Sequence, residues 1–175
     1  MQIDLTAILN HEGKTEEYSV PMELDIIRTG RESFPVLEKE PVKVTVTHRG
    51  NQVLEIAAET DVEVGIPCAR CLETVMVSFH ISSHMDADMK ISDGEREAVS
   101  EEGGCIAEKH LDVDQLVHNE ILTDWPIQIL CREDCKGICP SCGANRNQTS
   151  CGCDTAVPDP RMAAISDIFS KFKEV

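Results

Sequence analysis

The sequence predicts an α+β fold: an antiparallel β-sheet, two short helices and a metal-stapled, cysteine-rich C-terminal segment. Three observations carry this. Valines alternate with polar residues from Val42 onward. Apolar residues recur at helical spacing after Asp112 and again after Pro160. Six cysteines crowd between Cys131 and Cys153.

Along the chain, residues 1–40 give mixed signals. Pro21-Met22-Glu23-Leu24-Asp25-Ile26-Ile27 reads as partly extended, with Gly30 and Pro35 expected to break it. Val42, Val44 and Val46 then alternate with Lys43, Thr45 and Thr47, the period-2 pattern of a half-buried strand. His48-Arg49-Gly50-Asn51 supplies a turn, and Val53 to Val64 forms one long or two short strands. Val75, Val77, Phe79 and Ile81 alternate again, so successive strands form a meander.

Residues 83–110 hold eight acidic and three basic residues with little periodicity, and read as a flexible acidic linker. A helix starts at Asp112, which caps it with Gln115 three residues on. Val113, Leu116, Val117 and Ile121 form its apolar stripe, and Trp125-Pro126 ends it. A second helix is expected from Pro158-Asp159-Pro160, with Met162, Ile165, Ile168, Phe169 and Phe172 on its apolar face, packed on the sheet. The organisation is thus a β-rich region over 1–82, the linker over 83–110, and helix, cysteine segment and helix over 111–175.

Charge and composition exclude several roles. The formal net charge is −16, from 32 acidic and 16 basic residues, which opposes direct capture of nucleic acid or anionic membrane. One Trp, one Tyr and four Phe are few rings for stacking bases. No secretory signal or membrane-spanning run is visible, so a cytoplasmic location is expected, where cysteines stay reduced. There is no P-loop, dinucleotide fingerprint or nucleophile elbow, and His11, His48, His80, His84 and His110 lack ligand spacing. No catalytic residue is assigned, and the chain reads as a non-enzyme.

Nine cysteines in a reducing compartment point to metal. Cys131, Cys135, Cys139, Cys142, Cys151 and Cys153 follow the spacing C-x3-C-x3-C-x2-C-x8-C-x-C, and thiolates this close place pairs of sulfurs on one tetrahedral Zn²⁺. Gly143, directly after Cys142, suits the left-handed turn such a knuckle needs. Cys68-Ala69-Arg70-Cys71 is a second pair. Setting aside the isolated Cys105 leaves eight cysteines, enough for two four-thiolate sites. One would join Cys68 and Cys71 to Cys131 and Cys135; the other would use Cys139, Cys142, Cys151 and Cys153. One or two structural Zn²⁺ ions are expected. Four-thiolate sites are closed, with no open position for water or substrate.

Other readings use the same residues. His118-Asn119-Glu120 followed by Cys139-Pro140-Ser141-Cys142 is a partial zinc-deaminase pattern, but Ile138 stands where that pattern needs proline. The alternative function is a thiol/zinc redox switch, or a rubredoxin-like iron protein built on Cys139-Pro140-Ser141-Cys142-Gly143.

Cys68-Ala69-Arg70-Cys71-Leu72, then Cys131 through Cys135-Lys136-Gly137-Ile138-Cys139-Pro140-Ser141-Cys142-Gly143-Ala144-Asn145, then the segment from Pro158 to Arg161, resemble the YceD-like family of large ribosomal RNA subunit accumulation proteins. The resemblance runs in order over roughly Val42 to Lys173, and its sharpest part is the segment around Cys139 and Cys142. Arg146 stands where the related pattern often has leucine. The resemblance implies a non-enzymatic role in the synthesis, processing or stability of 23S ribosomal RNA in the bacterial cytoplasm. Because the chain is acidic and poor in aromatics, contact with 23S RNA is expected to be indirect, through a ribosomal protein or assembly factor. No membrane partner is expected.

Overall fold

The computed structural model describes residues 1–30, 32–91 and 104–153. The chain divides into two compact units. Unit 1 comprises Met1–Pro67 and Thr74–Ile129; unit 2 comprises Cys68–Glu73 and Leu130–Val175. The second helix expected from Pro158 lies outside the described residues.

Unit 1 is richer in strands than the expectation. Its elements are β1 (Gln2–Asp4), α1 (Thr6–Leu9), β2 (Thr15–Val20), β3 (Ile26–Thr29), β4 (Glu32–Lys39), β5 (Val42–Gly50), β6 (Val53–Pro67), β7 (Thr74–Asp88), β8 (Ile106–Ala107), β9 (His110–Asp112) and α2 (Val113–Thr123). The main sheet runs β2-β5-β6-β4-β3, with β7 also paired to β6; a small sheet runs β1-β9-β8. Among the described residues, these strands pair antiparallel throughout.

β6 is the organising strand. It is a single strand of 15 residues, and β7 pairs with it from Val53↔Asp88 to Pro67↔Thr74. Along its other side β5 covers the first part and β4 covers Val62 to Val64. The period-2 pattern dictates the faces. Leu54, Ile56, Ala58, Val62 and Val64 are buried, while Glu59 and Asp61 are exposed and Glu55 and Glu63 lie at intermediate depth. Val42, Val44 and Val46 line the same core from β5, as their alternation requires.

Three sequence expectations change. His48 is not a turn residue but the next inward side chain of β5, 2% exposed. The turn itself is Asn51-Gln52, both left-handed (φ 54° and 60°), as a two-residue hairpin demands. Pro35 does not break its segment. It lies within β4 opposite Ile26, and the ladder to β6 begins only at Val36, so the missing N–H of proline forfeits no bond there. Finally, strand structure enters the expected linker 83–110 from both ends, since β7 runs to Asp88 and β8 and β9 occupy its far end.

α2 follows the sequence reading closely. The Asp112 side chain accepts a hydrogen bond from the Gln115 N–H at 3.1 Å, and Val113, Leu116, Val117 and Ile121 are its buried residues. Just beyond it, Trp125 packs on Phe34 and Phe79, with ring centroids 5.0 and 5.7 Å away. Cys105 is a buried member of this core.

Candidate metal centres

Unit 2 contains both sulfur clusters. The Sγ atoms of Cys68, Cys71, Cys131 and Cys135 all lie within 4.8 Å of one another, as do those of Cys139, Cys142, Cys151 and Cys153. This is the partition expected from counting. In the first cluster the sulfurs of Cys68 and Cys135 are 3.8 Å apart, and those of Cys71 and Cys131 are 3.5 Å apart. A tetrahedron of sulfurs about 2.3 Å from a central ion has edges of about 3.8 Å, whereas a disulfide is about 2.05 Å. The donor set and its spacing therefore fit a four-coordinate soft cation.

Two equivalent knuckles present the ligands. In Cys68-Ala69-Arg70-Cys71-Leu72-Glu73 the Leu72 N–H donates to the Cys68 carbonyl at 3.0 Å, and the Cys68 N–H donates to the Glu73 carbonyl at 2.8 Å. In Cys139-Pro140-Ser141-Cys142-Gly143-Ala144 the Gly143 N–H donates to the Cys139 carbonyl at 2.8 Å, and the Cys139 N–H donates to the Ala144 carbonyl at 2.8 Å. The turn requires a left-handed residue after the second cysteine. Gly143 supplies it at φ 73°, and Leu72 adopts it at φ 64° despite its Cβ. Sequence reasoning quotes Leu72 within its motif but misses this role; its place after C-x-x-C, matching that of Gly143, is the signal.

The first cluster rests on a further backbone lock. The Arg70 carbonyl accepts from the Ile138 N–H at 2.9 Å, and the Arg70 guanidinium donates to the carbonyl of Cys135 at 3.0 Å. Gly137 sits against this lock at φ 71°, where a Cβ would meet the Arg70 carbonyl oxygen at 2.9 Å. Asn147, also missed in the sequence, donates from Nδ2 to the Cys135 sulfur at 3.2 Å.

The thiols are polarised against one another. Burial raises Cys68, but the N–H groups of Cys71, Arg70 and Cys131 outweigh it and bring the thiol down to about 6. The N–H groups of Cys142 and Ser141 likewise bring Cys139 down to about 6. The amide of Asn147 lowers Cys135. At Cys71 the Glu73 N–H works downward, yet burial and the sulfurs of Cys68, Cys131 and Cys135 win and push it to about 12. The sulfurs of Cys142 and Cys139 push Cys153 to about 12. In each cluster the first thiolate thus forms readily and the last is resisted by its neighbours. A dication among the sulfurs removes that resistance and displaces the remaining protons.

His118 takes no part in either cluster. It lies on α2 in unit 1, where its Nε2 accepts from the Arg28 N–H at 3.4 Å. Each cluster has four sulfurs without it, and the deaminase pattern gains nothing from the geometry.

The chain is 22% identical to uncharacterized proteins of Mycobacterium bovis and of two strains of Mycobacterium tuberculosis, over 79% of this chain and 78% of theirs. No solved structure matches it. The sequence model of the family described as "Large ribosomal RNA subunit accumulation protein YceD" matches residues 56–169, a span that includes all eight clustered cysteines. On that match, the chain belongs to the YceD family, whose name ties it to accumulation of the large-subunit ribosomal RNA.

Proposed function

We propose that this protein is a non-enzymatic, zinc-stabilised factor that supports the synthesis, processing or stability of 23S ribosomal RNA by binding a protein partner in the cytoplasm. The observation that carries the reading is the pair of four-sulfur clusters within a chain of this family. Four thiolates complete the tetrahedral shell of Zn²⁺, so the ion would serve as a structural centre, with no position left for a substrate. When bound, the zinc supplies folding free energy to unit 2 and holds its chain segments together. Cys68, Cys71, Cys131 and Cys135 would hold one ion, and Cys139, Cys142, Cys151 and Cys153 the other.

Charge favours a protein partner over bare RNA. The formal net charge is −16, and β6 carries Glu55, Glu59, Asp61 and Glu63 on the face opposite its buried residues. Such a surface repels phosphates and suits a basic ribosomal protein or assembly factor. Among the described residues, no helix is long and apolar enough to cross a membrane.

The test is depletion of the protein in its own cells, with the ratio of 23S to 16S RNA measured and the precursor ends mapped. A selective loss of 23S RNA is expected; an unchanged ratio with normal large subunits overturns the reading. Tight capture of bare 23S RNA at physiological salt would overturn the protein-partner part alone. Metal analysis of the isolated protein separates zinc from a rubredoxin-like iron centre.

A further inference from the structure

We propose that the two sulfur clusters are coupled, and that the loop closing one of them is the arm that positions the other. This rests on both clusters holding metal. Residues 143–150 join the second and third cysteines of the Cys139 cluster. The contacts this loop makes are largely with the Cys68 cluster and its supports. Asn147 Nδ2–H donates to the Cys135 sulfur at 3.2 Å, and its Oδ1 accepts from the Lys136 N–H at 2.8 Å. The Arg146 N–H donates to the Gly137 carbonyl at 2.9 Å, beside the Arg70 lock. Gln148 donates to Glu73, whose other carboxylate oxygen lies 3.6 Å from the Cys71 sulfur. Within the loop, Asn145 Oδ1 accepts from the Asn147 N–H at 2.9 Å and fixes the Asn147 backbone.

The loop's other hydrogen bonds are local: the knuckle pairs of Gly143 and Ala144 with Cys139, and the Gln148 and Thr149 N–H groups on the Asn145 carbonyl. The loop is short, mostly exposed and polar, and its Gly143 has open space around it. Its conformation therefore depends on Cys142 and Cys151 being held together at its two ends. An ion on the Cys139 cluster does that. The ordered loop then presents an N–H donor to a thiolate of the Cys68 cluster, and donors to ligating groups raise metal affinity by fixing the ligand and spreading its charge. By thermodynamic reciprocity, an ion on the Cys68 cluster strengthens the Cys139 cluster by the same factor. The Cys139 cluster, whose ligands all fall within one short segment, closes the smaller loops and fills first. Asn147 is the positioning residue through which it prepares the second site.

The experiment is titration of the full-length, reduced, metal-free protein with Co²⁺, followed by the thiolate-to-cobalt and d–d absorption bands, and with Zn²⁺ against a competing chelator. Two equivalents are expected, binding more steeply than two independent sites. Asn147→Ala, which keeps all eight cysteines, is expected to retain both equivalents, to weaken the second by about 10- to 100-fold and to shift its charge-transfer band. Asn147→Asp keeps the acceptor for Lys136 but loses the donor to sulfur, and is expected to behave like Asn147→Ala. The double variant Cys142→Ser/Cys153→Ser breaks the Cys139 cluster and is expected to weaken the remaining site by a similar factor. Two ions filling independently, with both Asn147 variants and the double variant matching the wild-type affinity, would overturn the coupling and leave the metal reading intact. Uptake of one ion by the wild-type protein would overturn the two-site reading and the coupling with it, and uptake of none would overturn the metal reading itself.

Discussion

Unit 1 closes on apolar side chains withdrawn from water, whereas the described part of unit 2 gathers two groups of four thiols spaced as a cation would require. In unit 1, Leu5, Ile8, Ile27, Leu54, Ile56, Leu111, Leu116 and Ile121 are fully buried, each contributing about 1.5–3 kcal/mol by leaving water. In the described part of unit 2 the buried side chains of the apolar class are Cys68, Cys71, Cys135 and Cys139, while Leu72 and Ile138 face solvent. Apolar periodicity accounts for the core of the first; the described residues of the second are organised around their sulfurs.

The comparison is broken most strongly by removing metal. A chelator under reducing conditions is expected to cost unit 2 on the order of 10 kcal/mol. Hydrogen exchange should then show lost protection at 68–73 and 130–153, with the amides of β5, β6 and α2 still protected. Retained protection in unit 2 would mean that its fold does not depend on metal. The reverse test is Ile56→Ala, at a fully buried position on the central strand. It should destabilise unit 1 by about 2–5 kcal/mol in denaturant and leave the metal stoichiometry unchanged.

A finer test lies within unit 2. Gly137 and Gly143 are both left-handed, but only Gly137 would drive a Cβ into backbone, at 2.9 Å from the Arg70 carbonyl. Gly143→Ala is expected to cost about 1–2 kcal/mol from backbone strain alone. Gly137→Ala should exceed it by about 1–3 kcal/mol and weaken metal binding at the Cys68 cluster. Equal effects in metal competition would show that the lock is not needed.

The smallest effect belongs to the sheet surface. His80 is paired with Asp61 at 2.8 Å, and this carboxylate raises the His80 value above its usual one. Stability from the pair is then fully present below the unfolded value of about 6.5 and is lost as pH rises through the raised folded value. His80→Ala should therefore lower the thermal midpoint slightly at pH 5.5 and not at pH 8.5. A shift of the same size at both pH values would assign the effect to packing instead.

How much of this was legible differs between the units. The valine alternation at Val42–Val46 and the stripe Val113, Leu116, Val117 and Ile121 place their residues correctly because burial follows periodicity directly. The sharing of eight cysteines between two clusters followed from counting and spacing. The first 40 residues are obscure because several of their strands are short and register is set by distant partners, as where Ile3 meets Leu111 and Val36 meets Val64. Asn147 and Arg70 were invisible for a different reason. Arg70 lies inside the Cys68–Cys71 pair, but spacing does not reveal that these two side chains act on Cys135, 65 and 12 residues away. Leu72 hid because a left-handed leucine is rare, though the glycine in the parallel knuckle marked the place.

The placing of Cys68 and Cys71 between β6 and β7 has a consequence for the chain while it is being made. Cys71 leaves the ribosome 60 residues ahead of Cys131. At about 5–20 residues per second, the nascent hairpin carries half of the four-thiol cluster for roughly 3–12 s. During that interval its two thiols are open to oxidants, to stray metals and to the cysteines of neighbouring nascent chains. Proteins made under oxidative stress or zinc starvation should therefore accumulate mixed disulfides at Cys68 and Cys71 first.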